Sequence, residues 1–163
     1  MNIAEQVDQV DAELVRGLYP ELRRFAAVVA PWDVDPDDAL HGALVGVLQT
    51  RRLGSLDNPG AYLRRAIVNH VSSELRNRRT RRSTLRRLEA EIRENTATAY
   101  PSDVADLMRL RPVERAILYL HDIEGYPFDE VAAAVGMAAG TARVTASRAR
   151  RRLRQELLQE ETR

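Results

Sequence analysis

The chain has 163 residues, 25 basic against 24 acidic side chains and a formal charge of +1, which leaves room for one ordinary domain or two small ones with thin cores. Cysteine is absent and the three histidines are scattered, which excludes a disulfide framework, a thiolate zinc site and a cysteine nucleophile and argues against any metal or other cofactor. No apolar run reaches the length of a membrane span, and the N-terminus is acidic, which predicts a cytoplasmic protein with no membrane contact.

Charge is unevenly placed. Acidic residues gather before Asp38, while arginines gather between Arg64 and Arg87 and again after Arg143. Such polarity suits a molecule that meets a polyanion on one side and protein on another. Every basic residue is Arg, which with the many Ala and Val hints at a GC-rich genome. Nothing resembles a glycine-rich phosphate loop, a pair of catalytic carboxylates or a nucleophile elbow, so the chain does not read as an enzyme.

Apolar residues recur at helical spacing and alternating β-branched runs are missing, which predicts an all-α fold. Leu14, Leu18, Leu22, Phe25 and Val29 form the apolar face of a first long helix, with Pro20 as a kink or break. Trp32 follows as a hinge-packing residue. Asp35, Pro36, Asp37 and Asp38 are a strong start signal, with Asp35 as N-cap, Pro36 at the first helical position and acids in the first turn. That helix runs through Leu40, Leu44, Val47 and Leu48 to about Arg52; His41 on it reads as a plain surface residue.

The segment LGSLDNPG has turn chemistry, and Pro59 or Ala61 opens the next helix. Its inward face is Tyr62, Leu63, Ala66, Ile67, His70, Val71 and Leu75, with His70 expected in the core, and it ends in the basic run RNRRTRR. Residues 1–82 thus read as one small helical domain and 83–102, charged and then small and polar, as a linker whose first half can stay helical. Pro101 and Ser102 start the second small domain, residues 103–163, with helices near Asp103 to Arg109, Pro112 to Asp122, Phe128 to Val135 and Ala139 to about Glu160.

The last two of these helices carry the functional signal. Gly136 sits where the first must reverse, a place for positive φ, and Ala142, Ala146, Ala149 and Leu153 give the second a narrow stripe of mostly small side chains for close packing. Arg143, Ser147, Arg148, Arg151 and Arg154 then lie mainly on other faces. This is the sequence form of a helix-turn-helix, whose guanidiniums can reach guanine edges or hold phosphates while Thr141 donates to a phosphate near the helix start. The plain alternative is a solvated Arg-rich terminal helix in a bundle.

The stretch GTARVTASRARRRLR resembles the DNA-reading helix of region 4 in bacterial sigma factors of the sigma-70 family, extracytoplasmic-function (ECF) group, whose usual pattern is GTV(K/R)SR(L/I)xRARxRL. The upstream LRPVERAILYLHDIEGYPFDEVAAAVGM resembles the lead-in, so the likeness spans about Leu110 to Leu157. It implies that Thr141, Arg143, Val144, Ser147, Arg148 and Arg151 read the promoter −35 element as duplex. Pro127 and Ala138 stand where the family has a Ser cap, each cap worth about 1 kcal/mol, and Thr145 stands where it commonly has Arg.

More loosely, NPGAYLRRAIVNHVSSELRNRR resembles region 2 of the same family. The resemblance implies that Leu56, Asp57, Asn58, Tyr62, Arg65, Asn69, Arg76 and Arg79 hold the melted single strand of the −10 element. Independently, an Arg-lined helix beside a turn-rich loop suits a strand with a flipped base, against which stands the reading of Arg78 to Arg82 as a solvated helix end. DPDDALHGALVGVLQ is similar to the family's polymerase-docking stretch, implying contact of Asp38, Leu40, His41 and Leu44 with core RNA polymerase. His41 and Gly42 replace its usual Gln-Glu pair, and a helical Gly costs about 1 kcal/mol relative to Ala.

The resemblance therefore implies an alternative sigma factor that directs core RNA polymerase, through its β′ clamp helices and β flap, to promoter DNA, with an anti-sigma factor as a further partner that would fit. The alternatives are a helix-turn-helix DNA-binding regulator that is not a sigma subunit, motivated by His41 and Gly42, and a helical interaction protein whose Arg faces meet acidic protein surfaces.

Overall fold

The computed structural model describes residues 3–85 and 106–161. Six α-helices and no strand occur among them, and none of those helices is long and apolar enough to cross a membrane. Helix α1 is Ile3–Val29, α2 Pro36–Leu48 and α3 Pro59–Leu85, with a 3-10 turn at Leu53–Ser55. After a 3-10 turn at Asp106–Arg109 come α4 (Pro112–Leu118), α5 (Phe128–Val135) and α6 (Ala139–Glu161).

Local chemistry explains most boundaries. Asp35 has an extended backbone and its Oδ1 accepts the Asp37 N–H at 2.7 Å, capping α2 with Pro36 at its first position. Asp37 in turn accepts the Tyr19 hydroxyl at 2.6 Å and Arg23 Nε at 3.0 Å, pinning the start of α2 to α1. The Tyr19 bond foremost, with the Arg23 guanidinium, holds the Asp37 carboxyl below the usual carboxylate range. Asn58 caps α3, its Oδ1 accepting the Ala61 N–H at 2.9 Å. A buried acid, Asp11, accepts the Gly54 N–H at 2.9 Å and ties the 3-10 turn to α1.

Several elements depart from the sequence reading, among them α2, which ends at Leu48 rather than near Arg52, and the expected helix near Asp103 to Arg109, of which the described part is a 3-10 turn. Helix α1 does not break at Pro20: the ring and the carbonyl it deprives of a donor, that of Arg16, belong to exposed residues, where water replaces the lost bond. Helix α3 continues to Leu85, past the expected boundary at residue 82. The rest of the expected linker and the helix start at Pro101 and Ser102 lie outside the described residues. The stretch read as one helix from Pro112 to Asp122 is α-helical only to Leu118; Tyr119–Ile123 forms a π-turn, closed by the Glu124 N–H on the Tyr119 carbonyl at 3.0 Å.

The two halves share one continuous buried cluster that joins Phe25, Val29, Leu63 and Ile67 to Ile117, Leu118, Leu120 and Val131. Either half alone would have the thin core its length predicts, and burying one against the other removes more apolar area from water. Polar groups stitch the seam. Buried Arg115 of α4 donates to the Val29 carbonyl at the end of α1 and to the Leu110 carbonyl at 2.8 Å, satisfying groups a helix end leaves open. Arg64 of α3, 7% exposed, pairs with Glu21 of α1 and lies 5.2 Å from the centre of the Tyr126 ring, whose hydroxyl donates to Glu21 at 3.1 Å.

Candidate nucleic-acid interface

Gly136 ends α5 in the left-handed region, φ 73° and ψ 43°, as the sequence predicts. Its N–H and that of Met137 both donate to the Ala132 carbonyl, at 2.8 and 3.0 Å, and the chain reverses into α6. Ala142, Ala146 and Ala149 are almost wholly buried, which brings the α6 backbone close to its neighbours. No side chain caps α5 at Pro127, so the missing Ser is a real loss there.

Thr141, Arg143, Val144, Ser147, Arg148 and Arg151 are all exposed. At 100° per residue they occupy an arc of about 160°, opposite the alanines. The arginines of α6 divide by what they touch. Arg150 is held by Asp122, its Nε 2.9 Å from Oδ2, and Arg152 by Glu114, 2.6 Å from Oε2. These pairs fix the helix on the turn before α5 and on α4. Arg143, Arg148, Arg151 and Arg154 have no carboxylate partner among the described residues, so their charge faces water and is open to an anion. Arg143 lies over the Phe128 ring, 5.6 Å from its centre, and His121 stacks against the same ring at 3.9 Å.

On α3, Tyr62, Arg65, Asn69, Arg76 and Arg79 fall on one face at helical spacing. Arg65, Asn69, Arg76 and Arg79 are exposed, whereas Tyr62 and, from the preceding loop, Leu56 pack partly against the core. Asn58 is occupied as the cap of α3. Arg78 pairs with Asp33 at 2.8 Å, tying the end of the basic run to the turn after α1. Asp57 and Asn58 open on a cleft of about 480 Å³ between the halves, whose far wall carries Asp129 and Glu130 of α5. Those carboxylates repel a phosphate backbone, so this loop is screened from a nucleic-acid strand while the halves are together.

The docking stretch needs a correction. Leu40 is fully buried and Leu44 is 6% exposed, so both belong to the core and cannot touch a partner. The exposed face of α2 is instead Asp38, His41, Val45 and Leu48, with Val45 56% and Leu48 42% exposed. Gly42 has a packing reason, because a Cβ there would stand 2.4 Å from His70 Nε2. His70 is half-buried over that glycine rather than enclosed in the core. Sequence reasoning also missed Arg64, one residue from exposed Arg65 and buried by distant partners.

The comparisons with known proteins bear on both halves at once. The sequence family "Sigma-70, region 4" matches residues 107–153, which hold α4, α5 and most of α6. The RNA polymerase sigma-E factor of Streptomyces coelicolor is 34% identical over 156 residues, covering 90% of this chain and 85% of that protein. The chain belongs to the ECF group of sigma-70 family RNA polymerase sigma factors. Within that group it is also 29% identical to SigM of Mycobacterium tuberculosis over 146 residues, 86% of this chain and 74% of that one. Among solved structures, the sigma factor RpoE of Bartonella quintana, determined in complex with the anti-sigma factor NepR, shares the fold with a TM-score of 0.66 at 24% identity, over 91% of this chain and 96% of the other. As a sigma factor, the chain acts in transcription initiation, with its helix-turn-helix in region 4 and its basic helix in the preceding half.

Proposed function

We propose that residues 1–82 form the unit that docks on core RNA polymerase and holds the melted −10 strand, and that residues 103–163 form the unit that reads the −35 element as duplex. Polymerase supplies all the chemistry. The observation that carries the reading is that Arg76 and Arg79 share one exposed face of α3, and Arg143, Arg148 and Arg151 one exposed face of α6 in the other half, all without a carboxylate partner among the described residues. Docking falls to Asp38, His41, Val45 and Leu48, a small apolar patch beside a carboxylate. An anti-sigma protein would suit the same exposed surfaces.

Reading both elements at once sets a geometric requirement. The −35 and −10 elements lie about 25 base pairs apart, or about 85 Å at 3.4 Å per step. Here α3 and the turn of the helix-turn-helix are in contact, so both elements can be read together only after the halves part. Residues 86–105 have a contour of about 70 Å, which together with the width of each half is enough.

The test is a pull-down of core polymerase by the full chain, followed by permanganate footprinting of the complex on candidate promoters. Core is expected to be retained and thymines near −10 to become reactive. Salt-sensitive binding of the chain to duplex DNA with no retention of core would instead support a DNA-binding regulator.

A further inference from the structure

We propose that Phe128 is a positioning residue for promoter recognition, its ring acting as a platform that holds Arg143 in the orientation from which it meets a base pair; this rests on the reading of α6 as the −35 reader. The ring has two partners. The Arg143 guanidinium stands 5.6 Å from its centre, and on the His121 side the ring centroids are 3.9 Å apart with planes inclined by 31°.

The His121 contact is itself anchored. His121 sits inside the π-turn Tyr119–Ile123, and its Nδ1 is 2.8 Å from the Tyr126 carbonyl oxygen. Gly125, at φ 77°, turns the chain so that the Tyr126 N–H donates to the Leu120 carbonyl at 2.9 Å and its own carbonyl faces His121. Single π-turns at the end of an α-helix are rare and recur at functional sites. Here the π-turn carries His121, whose ring meets the same Phe128 ring that Arg143 lies over.

An exposed arginine loses much rotamer freedom when it binds a base edge, and a planar guanidinium resting on an aromatic face has lost part of it beforehand. Bidentate reading of a guanine depends on that plane being set. Among the exposed arginines of α6, Arg143 is the one with such a platform; no ring contact involves Arg148 or Arg151 among the described residues. Phe128 thus acts through Arg143 and need not touch DNA.

The test uses the chain bound to core polymerase and a pool of promoter duplexes randomised through the −35 region, with sequencing of the retained DNA. Wild type is expected to enrich defined base pairs, and R143A to lose enrichment at one or two of them. F128L and F128M, which keep apolar bulk but remove the ring, should lose enrichment at those same base pairs and weaken binding roughly threefold to fivefold, the size of an exposed cation–π contact. F128Y and F128W should keep the preference, and F128L combined with R143A should be no worse than R143A alone. Melting temperatures report folding, and F128M carries the test if F128L unfolds. Enrichment retained in both ring-less variants at the base pair that R143A relaxes would overturn the proposal. So would an even loss at every position, or additive losses in the double variant. A wild-type complex with no −35 preference would overturn the underlying reading instead, which keeps the two failures apart.

Discussion

Arg65 Nε lies 2.6 Å from the point that a Cβ on Gly136 would occupy, so the basic helix of one half rests on the turn of the other half's helix-turn-helix. Gly136 is therefore constrained twice, by its φ of 73° and by its neighbour. Gly136→Ala is expected to destabilise the chain by about 1–2 kcal/mol from the left-handed backbone alone, with a further penalty from Arg65. Chemical denaturation of Gly136→Ala with and without Arg65→Ala separates the two. Arg65→Ala should recover the steric part and leave the backbone part.

Gly42→Ala tests a close approach that breaks the ordinary rule. In most helices this change stabilises by about 1 kcal/mol. Here the new methyl would meet the His70 ring at 2.4 Å, and overpacking of this kind costs about 1–3 kcal/mol. Gly42→Ala is expected to lower stability and the double variant with His70→Ala to restore it. A single variant more stable than wild type would remove the packing explanation.

These glycines mark the limit of what the sequence discloses. Asp35 with Pro36 and the reversal at Gly136 were legible because cap and turn chemistry is local, and the α6 arc was legible because helical periodicity places its arginines opposite its alanines. Periodicity could not tell Leu40 and Leu44, which are buried, from Val45 and Leu48, which are not, because every position on α2 between Leu40 and Leu48 except His41 and the two glycines is apolar. Nor could it separate Arg64 from Arg65. Arg64 is buried by Glu21 and Tyr126, 43 and 62 residues away in sequence, and contacts of that range leave no local signature.

Glu114 predicts the acid limb of stability. It is 3% exposed, accepts the Arg111 N–H at 2.9 Å, and joins α4 to α6 through Arg152. Burial alone would push its carboxyl up, but the bonds from Arg111 and Arg152 outweigh it and hold the carboxyl below the usual range. With the folded value below the unfolded one, its contribution is complete above about pH 4.3 and is lost as pH falls through the folded value. Both arginines can be rehydrated, so Glu114→Gln is expected to cost about 1–2 kcal/mol at pH 7. In urea denaturation the gap to wild type should close between about pH 4 and pH 2. A gap that is constant over that range would contradict the assignment.

The exposed face of α2 separates docking from folding. Val45→Asp with Leu48→Asp should leave the melting temperature nearly unchanged, since surface changes usually stay within about 0.5 kcal/mol each, yet weaken retention of core polymerase at least tenfold. Leu40→Ala should instead cost about 2–5 kcal/mol of stability. Pull-downs alongside thermal melts distinguish the two. Undiminished retention by the double Asp variant would remove this face from the interface.

Run-off transcription with core polymerase, comparing wild type with the Arg143→Ala, Arg148→Ala double variant, tests the central claim most directly. A promoter-dependent transcript above core alone is expected for wild type, and its loss in a double variant that still binds core. No transcript from wild type across a panel of candidate promoters, or an undiminished one from the double variant, would contradict the account.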